Sequence, residues 1–154
     1  MRGAYRKRRI HMPPRFGHFK PAGVPRRLLK KIELTLDEYE AIRLADYNGL
    51  EHLEAAGKMN ISRSTFTRLI ERARHKVAEV VVDGREMFIA GGNVDLVNTL
   101  LRCVDCGELT PGPVESEARK CRDCGSEKIE DLATRSFGRG RRGREGHGRS
   151  EEIE

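Results

Sequence analysis

Four cysteines make two Cys-x-x-Cys pairs, Cys103-Val104-Asp105-Cys106 and Cys121-Arg122-Asp123-Cys124, each followed by a glycine. Fourteen residues separate Cys106 from Cys121. Each pair places two thiolates on one side of a tight turn, and the glycine lets the backbone fold back so that amides point at sulfur. Two such knuckles offer four sulfurs to one tetrahedral ion, the arrangement structural zinc prefers. Iron also suits an all-sulfur tetrahedron and stays the second choice. Four protein thiolates leave no open position for a substrate, so the expected role is structural, with metal binding supplying folding energy to a segment with little core. A thiol–disulfide enzyme would need one reactive pair beside a βαβ pattern, and neither feature is present. The chain shows no export signal, so its thiols are expected to stay reduced.

A second constellation lies upstream, in His52–Arg72. Ala56 is small enough to sit where two helices touch, and Asn60, four residues on, belongs to the few non-glycine types that accept a positive φ. Ile61 and Phe66 would plug the angle between the helices, and Ser62 would cap the second one. This is the pattern of a helix-turn-helix, whose second helix enters the major groove by its N-terminal turn. Arg63, Ser64, Thr67, Arg68 and Arg72 are then the side chains placed to meet bases or phosphates of duplex DNA. Ser62–Lys76 carries five bases against one acid, which favours that reading over a plain helical hairpin.

These residues need helices to hold them. Thr35 and Glu38 have capping-box spacing and open a helix, with Leu36, Tyr39, Ile42 and Leu44 on its apolar stripe. Asn48-Gly49 stops it. Its acids Asp37, Glu38, Glu40 and Asp46 read as a solvated face. Leu50, Leu53 and Ala56 mark a second helix; Phe66, Leu69, Ile70, Ala73 and Val77 mark a third, ended by Asp83-Gly84. Glu86–Ala90 reads as one short strand. His52 and His75 read as helix-surface residues.

Charge is segregated along the 154 residues. Positions 1–31 hold eleven Lys or Arg and no acid, and Pro13, Pro14, Pro21 and Pro25 predict an extended basic arm there. Positions 135–154 hold six Arg against four Glu in a Gly/Arg-rich run expected to be disordered. The stretch between them carries 13 bases against 20 acids. Basic ends on an acidic middle suit a polyanionic partner. No apolar run approaches the roughly 18 residues of a membrane span, so a cytoplasmic protein without a membrane partner is expected. The fold class expected is mainly α. Its parts would be the arm at 1–31, a helix-turn-helix domain at 32–92, a four-cysteine ribbon at 93–134 and the tail at 135–154.

The motifs FKPAG at 19–23, LTLDEYEAIRLAD at 34–46, EAAGKMNISRSTFTRLIERARHKVAE at 54–79 and the glycine pair at 91–92 resemble domain-of-unknown-function family 134. These are small prokaryotic proteins expected to bind DNA. The same stretch is similar to region 4 of sigma factors, and the resemblance spans roughly residues 5–92. It implies a DNA-binding protein. Gly57 stands where the family favours Glu, and Asn60 where it favours Gly; a mid-helix glycine costs about 1 kcal/mol, which predicts a short or frayed first helix in the motif. The cysteine segment resembles a zinc ribbon, which implies paired β-hairpins around the metal.

The reading that follows is a transcription regulator that reads duplex DNA. One alternative is an RNA-binding or ribosome-associated zinc-ribbon protein, with Phe16, Phe19 and Phe137 stacking on bases. The other is a sigma-like module docking on RNA polymerase through the acidic helix 35–47. A homo-oligomer is compatible with the sequence, although no heptad run declares a dimer helix. No phosphate-cradling glycine loop, nucleophile elbow or His–carboxylate pair points to an enzyme.

Overall fold

The computed structural model describes residues 6–113 and 120–134; the Gly/Arg tail lies outside them. Of the described residues 38% are helical and 24% are in strands, so the expectation of a mainly α chain is overturned. The strands form three sheets, one of two strands and two of three.

The N-terminal stretch, expected to be extended, runs in short strands that pair with later parts of the chain. It supplies β1 (Arg8–Ile10) and β2 (His18–Phe19), followed by a single 3-10 turn at Arg26–Leu28 and β3 (Lys31–Leu34). β1 pairs in parallel with β5 (Val94–Leu96), Ile10 opposite Leu96. β4 (Glu86–Ile89) is the middle of the second sheet, antiparallel to β2 and parallel to β3. β4 matches the strand expected at Glu86–Ala90, whereas β1, β2, β3 and β5 carry too little alternation to be read, and the pairings lie more than fifty residues apart. The prolines and glycines of this stretch occupy the turns between strands.

Between β3 and β4 the chain inserts all the longer helices among the described residues. α1 (Leu36–Ile42) runs into a π-helical turn at Arg43–Tyr47; α2 (His52–Met59) and α3 (Arg63–Asp83) follow. Thr35 starts α1, and Glu38 reaches back to accept from the Thr35 amide at 3.0 Å, as its capping spacing predicts. Gly84 ends α3 with φ +66°. Two apolar clusters result. Ala41, Leu44, Ala55, Ala56, Met59, Phe66, Leu69 and Ile70 lock the three helices together. Ile10, Leu34, Leu36, Ala73, Met87 and Ile89 seal them onto the two small sheets.

The acids of α1 do not form a solvated face. Asp37, Glu38 and Glu40 are all buried. Burial is tolerated because a cation meets each one, from a distant part of the chain for Asp37 and Glu38 and from the next turn for Glu40. Arg8 pairs with Asp37, and Lys76 Nζ lies 2.7 Å from Glu38. Arg43 donates to both oxygens of Glu40 at 2.7 and 2.8 Å, and the His11 amide donates to the same carboxylate at 2.9 Å. These bonds clamp the N-terminal stretch onto the helices. Only Asp46 keeps an exposed setting, and it holds Arg74 at 2.6 Å.

A further carboxylate, Glu86 on β4, is fully buried under the 3-10 turn. His18 Nε2 and Arg26 Nε reach its Oε1 at 2.5 and 2.7 Å. Burial alone would raise this carboxyl, but the hydrogen bonds from His18 and Arg26 and the charge of Arg26 hold it below its ordinary value of 4.5. The linkage has a definite sign. Its stabilisation is complete above the unfolded value and is lost as pH falls through the lower folded value. Melting temperature measured from pH 6 to 3 is therefore expected to fall less steeply in Glu86→Gln than in the parent chain.

The third sheet is antiparallel, with β6 (Asn98–Cys103) between β7 (Leu109–Pro113) and β8 (Ile129–Asp131).

Gly57 leaves α2 intact as an eight-residue helix. A Cβ added there would meet nothing within 4 Å. Gly57→Ala is expected to raise stability by about 1 kcal/mol in urea denaturation, through the lower entropy of its unfolded chain.

Candidate nucleic-acid interface and four-cysteine centre

The turn between α2 and α3 is built as its residues dictate. Asn60 takes φ 58° and ψ 43°, the one left-handed non-glycine residue among those described. Its amide donates back to Gly57, and the Ile61 amide to Ala56, closing the end of α2. Ser62 Oγ then accepts from the Thr65 amide at 3.2 Å, which caps α3 and fixes its first turn. Phe66 is fully buried between the helices.

Arg63, Ser64 and Arg68 stand exposed on the first two turns of α3, with Thr67 half-buried beside them. Thr67 Oγ1 lies 3.1 Å from His52 Nδ1, and the His52 ring packs edge-on to Phe66 at 5.3 Å. His52 is thus a strut between α2 and α3. It engages the Thr67 hydroxyl within the protein.

The arginines of α3 divide into two sets. Arg72 lies 3.9 Å from Glu38, and Arg74 is held by Asp46. Arg63 and Arg68 make no ion pair among the described residues. Arg72, 58% exposed, thus stands near an acid of α1, whereas Arg63 and Arg68 have none beside them. His11 Nε2 sits 3.1 Å from the Lys58 carbonyl, which brings β1 alongside the turn between α2 and α3. Sequence reasoning missed the roles of His11 and His52, because their partners are 47 and 15 residues away.

The four cysteines converge as their spacing predicts. All four sulfurs lie within 4.8 Å of one another. The two knuckles repeat each other: the Gly107 amide donates to the Cys103 carbonyl and the Gly125 amide to the Cys121 carbonyl, both at 3.0 Å. Gly107 and Gly125 take φ 79° and 73°, a conformation that a side chain would strain. Across the knuckles, Cys103 and Cys124 sulfurs are 3.5 Å apart, and Cys106 and Cys121 sulfurs 3.6 Å. A tetrahedral ion with metal–sulfur bonds of about 2.3 Å sets its sulfurs about 3.8 Å apart, so the donor set fits a metal ion. Ser126 and Lys128 both donate to Asp105, tying the second knuckle to the first.

The thiols themselves call for a cation. Backbone amides of Cys106 and Asp105 pull the Cys103 thiol down to about 7 against the opposing effect of burial. At Cys106 the Glu108 amide pulls down, but burial and the neighbouring sulfurs outweigh it and push the thiol up to about 12. Four sulfurs this close ionise together only around positive charge. The paired hairpins expected of a ribbon are realised as one hairpin, β6–β7, with β8 added along β6.

The fold is thus a mixed α/β unit carrying a helix-turn-helix, joined to a three-stranded four-cysteine segment. The model of the family described as "Protein of unknown function DUF134" matches residues 1–97, and the chain belongs to that family. Among similar proteins, a "UPF0251 protein" of Chloroherpeton thalassium is 54% identical over 81% of this chain and 83% of its own length. One of Moorella thermoacetica is 45% identical over 96% of this chain and 95% of its own. One of Pelotomaculum thermopropionicum is 43% identical over 77% and 89%. No solved structure gives a significant match. No described helix is long and apolar enough to cross a membrane.

Each of Cys103→Ser and Cys121→Ser is expected to abolish stoichiometric metal binding, read by elemental mass spectrometry on the purified chain. Lowering the pH should release metal from the parent protein, because protons compete for the thiolates. The far-ultraviolet helix signal should persist in both variants, since the three longer helices lie outside this segment.

Proposed function

We propose that this protein binds duplex DNA as a transcription regulator, presenting the first two turns of α3 to the major groove. One observation carries the reading: Arg63 and Arg68 stay exposed without an acid, while Arg72, Arg74 and Lys76 on the same helix are engaged by acids of α1 and its π-helical turn. An unpaired guanidinium can take guanine bidentately or bind phosphate. Ser64 adds a hydroxyl, and the Thr67 methyl suits a thymine methyl. The basic residues near β1, beside the turn between α2 and α3, would add phosphate contacts. The cysteine centre holds structural zinc in this reading, with all four positions filled by protein and no part in catalysis. The protein acts by binding rather than as an enzyme.

Docking on RNA polymerase through the acidic helix has less support, because Asp37, Glu38 and Glu40 face inward and are already paired. An RNA-binding role is disfavoured by the narrow major groove of A-form helices, which side chains cannot read.

Fluorescence anisotropy with a labelled random duplex tests the proposal. The parent chain should bind with a steep negative salt dependence. Arg63→Ala/Arg68→Ala should weaken binding about tenfold or more and reduce the salt slope by about 0.9 for each phosphate no longer neutralised. Unchanged affinity in that variant would overturn the assignment of α3.

A further inference from the structure

We infer that the C-terminal half of α3 is a dimer contact, covered by the same half of α3 from a second copy of this chain running antiparallel. The inner side of this half is taken up by the core, through Ala73, Val77 and Val80. Its outer side shows Glu71, Arg74, His75, Ala78, Val81 and Val82, all exposed and spaced by three or four residues or side by side, which makes one stripe of a 3.6-residue helix. Val81 is 76% exposed and Val82 81%. A third open side chain joins them. Arg74 binds Asp46 at 2.6 Å, which brings Tyr47, 85% exposed, beside the start of the stripe. Val81 follows Arg74 by two helical turns, so Tyr47 and Val81 stand on the same flank. Single exposed apolar side chains are ordinary; three gathered along one stripe of a highly charged chain mark a contact surface.

Charge selects the occupant and its direction. On the flank opposite Tyr47, Arg72 and His75 come before Ala78, and Glu79 and Asp83 come after it. A copy laid parallel would bring like charges together. An antiparallel copy crossing at Ala78 sets Glu79 and Asp83 beside the bases of its neighbour, and every contact is made twice, as a two-fold axis requires. Arg72 and Asp83 stay more than half exposed within their own ion pairs, so each has a side open to a second partner. The same axis places Val81 against Tyr47 of the second copy and Val82 against its His75. Ala78 at the crossing is small enough for the helices to approach closely. A nucleic acid on this stripe would meet Glu71, Glu79 and Asp83, which repel phosphate.

The overlap has a definite extent. With Ala78 at the crossing, Asp83 at the end of one α3 lies opposite Ala73 of the other, so the paired lengths run over 73–83 in each copy. At 1.5 Å per residue that is about 16 Å. Arg63, Ser64 and Arg68 project beyond it. The inference does not rest on the duplex reading, and the two fail independently. A contact of this length lies at the small end of specific interfaces, so association is expected to depend on concentration.

Sedimentation equilibrium of the full chain tests the contact. The parent chain should pass from monomer to dimer as its concentration rises to about 1 mM, where even a weak interface is populated. Val81→Lys/Val82→Lys should weaken association at least about tenfold, the worth of burying one valine side chain. Both positions are exposed and a cation suits the last turn of a helix, so this variant should stay folded, which circular dichroism melts check. Arg63→Ala/Arg68→Ala should leave association unchanged. Direction is read separately, with p-benzoylphenylalanine in place of Val81 and a mixture of isotopically light and heavy chains. Irradiation should join it to the segment holding Tyr47 of the second copy, identified by mass spectrometry. The inference is overturned if the parent chain stays monomeric throughout, which would leave the stripe to a partner of another kind, or if the folded lysine variant associates as tightly. Cross-links confined to the end of the second copy's α3 would mean parallel helices and would also overturn it.

Discussion

Carboxylates taken out of water govern this fold. Asp37, Glu38, Glu40 and Glu86 are all buried, and a carboxylate out of water is costly unless cations and hydrogen bonds meet it. Each draws its partners from another part of the chain: Arg8 and the His11 amide from the N-terminal stretch, Lys76 from α3, His18 and Arg26 from the loop over the sheet. Glu40 adds Arg43 from its own helix. Removing one member of such a pair costs about 3–5 kcal/mol, because the other is left charged and unmatched. The apolar clusters would accept several arrangements of the N-terminal residues, whereas the ion pairs admit one.

The same pairing decides what α3 shows to solvent. Lys76, Arg72 and Arg74 each have an acid of α1 or its π-helical turn beside them, the first two Glu38 and the third Asp46. The charge left over lies at the other end, on Arg63 and Arg68. A helix whose first fourteen residues carry five bases is therefore electrostatically uneven in the folded chain. Its first two turns face outward with open guanidinium groups, and its middle acts as a structural beam.

What could be read in the sequence was local. The Thr35–Glu38 cap, the left-handed Asn60, the Ser62 cap, the Gly84 stop and both cysteine knuckles depend on neighbours within a few residues, and all are realised. What could not be read was non-local. Arg8–Ile10 has no strand signature, and it becomes a strand only because Val94–Leu96 lies beside it. The acids of α1 read as solvated because charge normally marks the wet face of a helix. Here Arg8 reaches Asp37 from 29 residues away, and no periodicity contains that information. Nor does any periodicity contain the approach of Arg72 to Glu38, 34 residues before it.

The parallel pairing of β3 with β4 carries a consequence for how the chain reaches this state. Leu34 and Ile89 are neighbours in register, yet every longer helix lies in the chain between them. The helical unit is in effect a large loop whose two ends must meet before the sheet can form, and closing such a loop is opposed by chain entropy. Once Phe66, Leu69 and Ile70 have packed against Leu44 and Met59, the ends are already close and the closure has mostly been met. Neither N-terminal strand can pair early in synthesis either, because β2 needs β4 and β1 needs β5, both of which follow the helices in the chain. A newly made chain thus holds its most basic segment unattached until the helix-turn-helix behind it has been synthesised and folded.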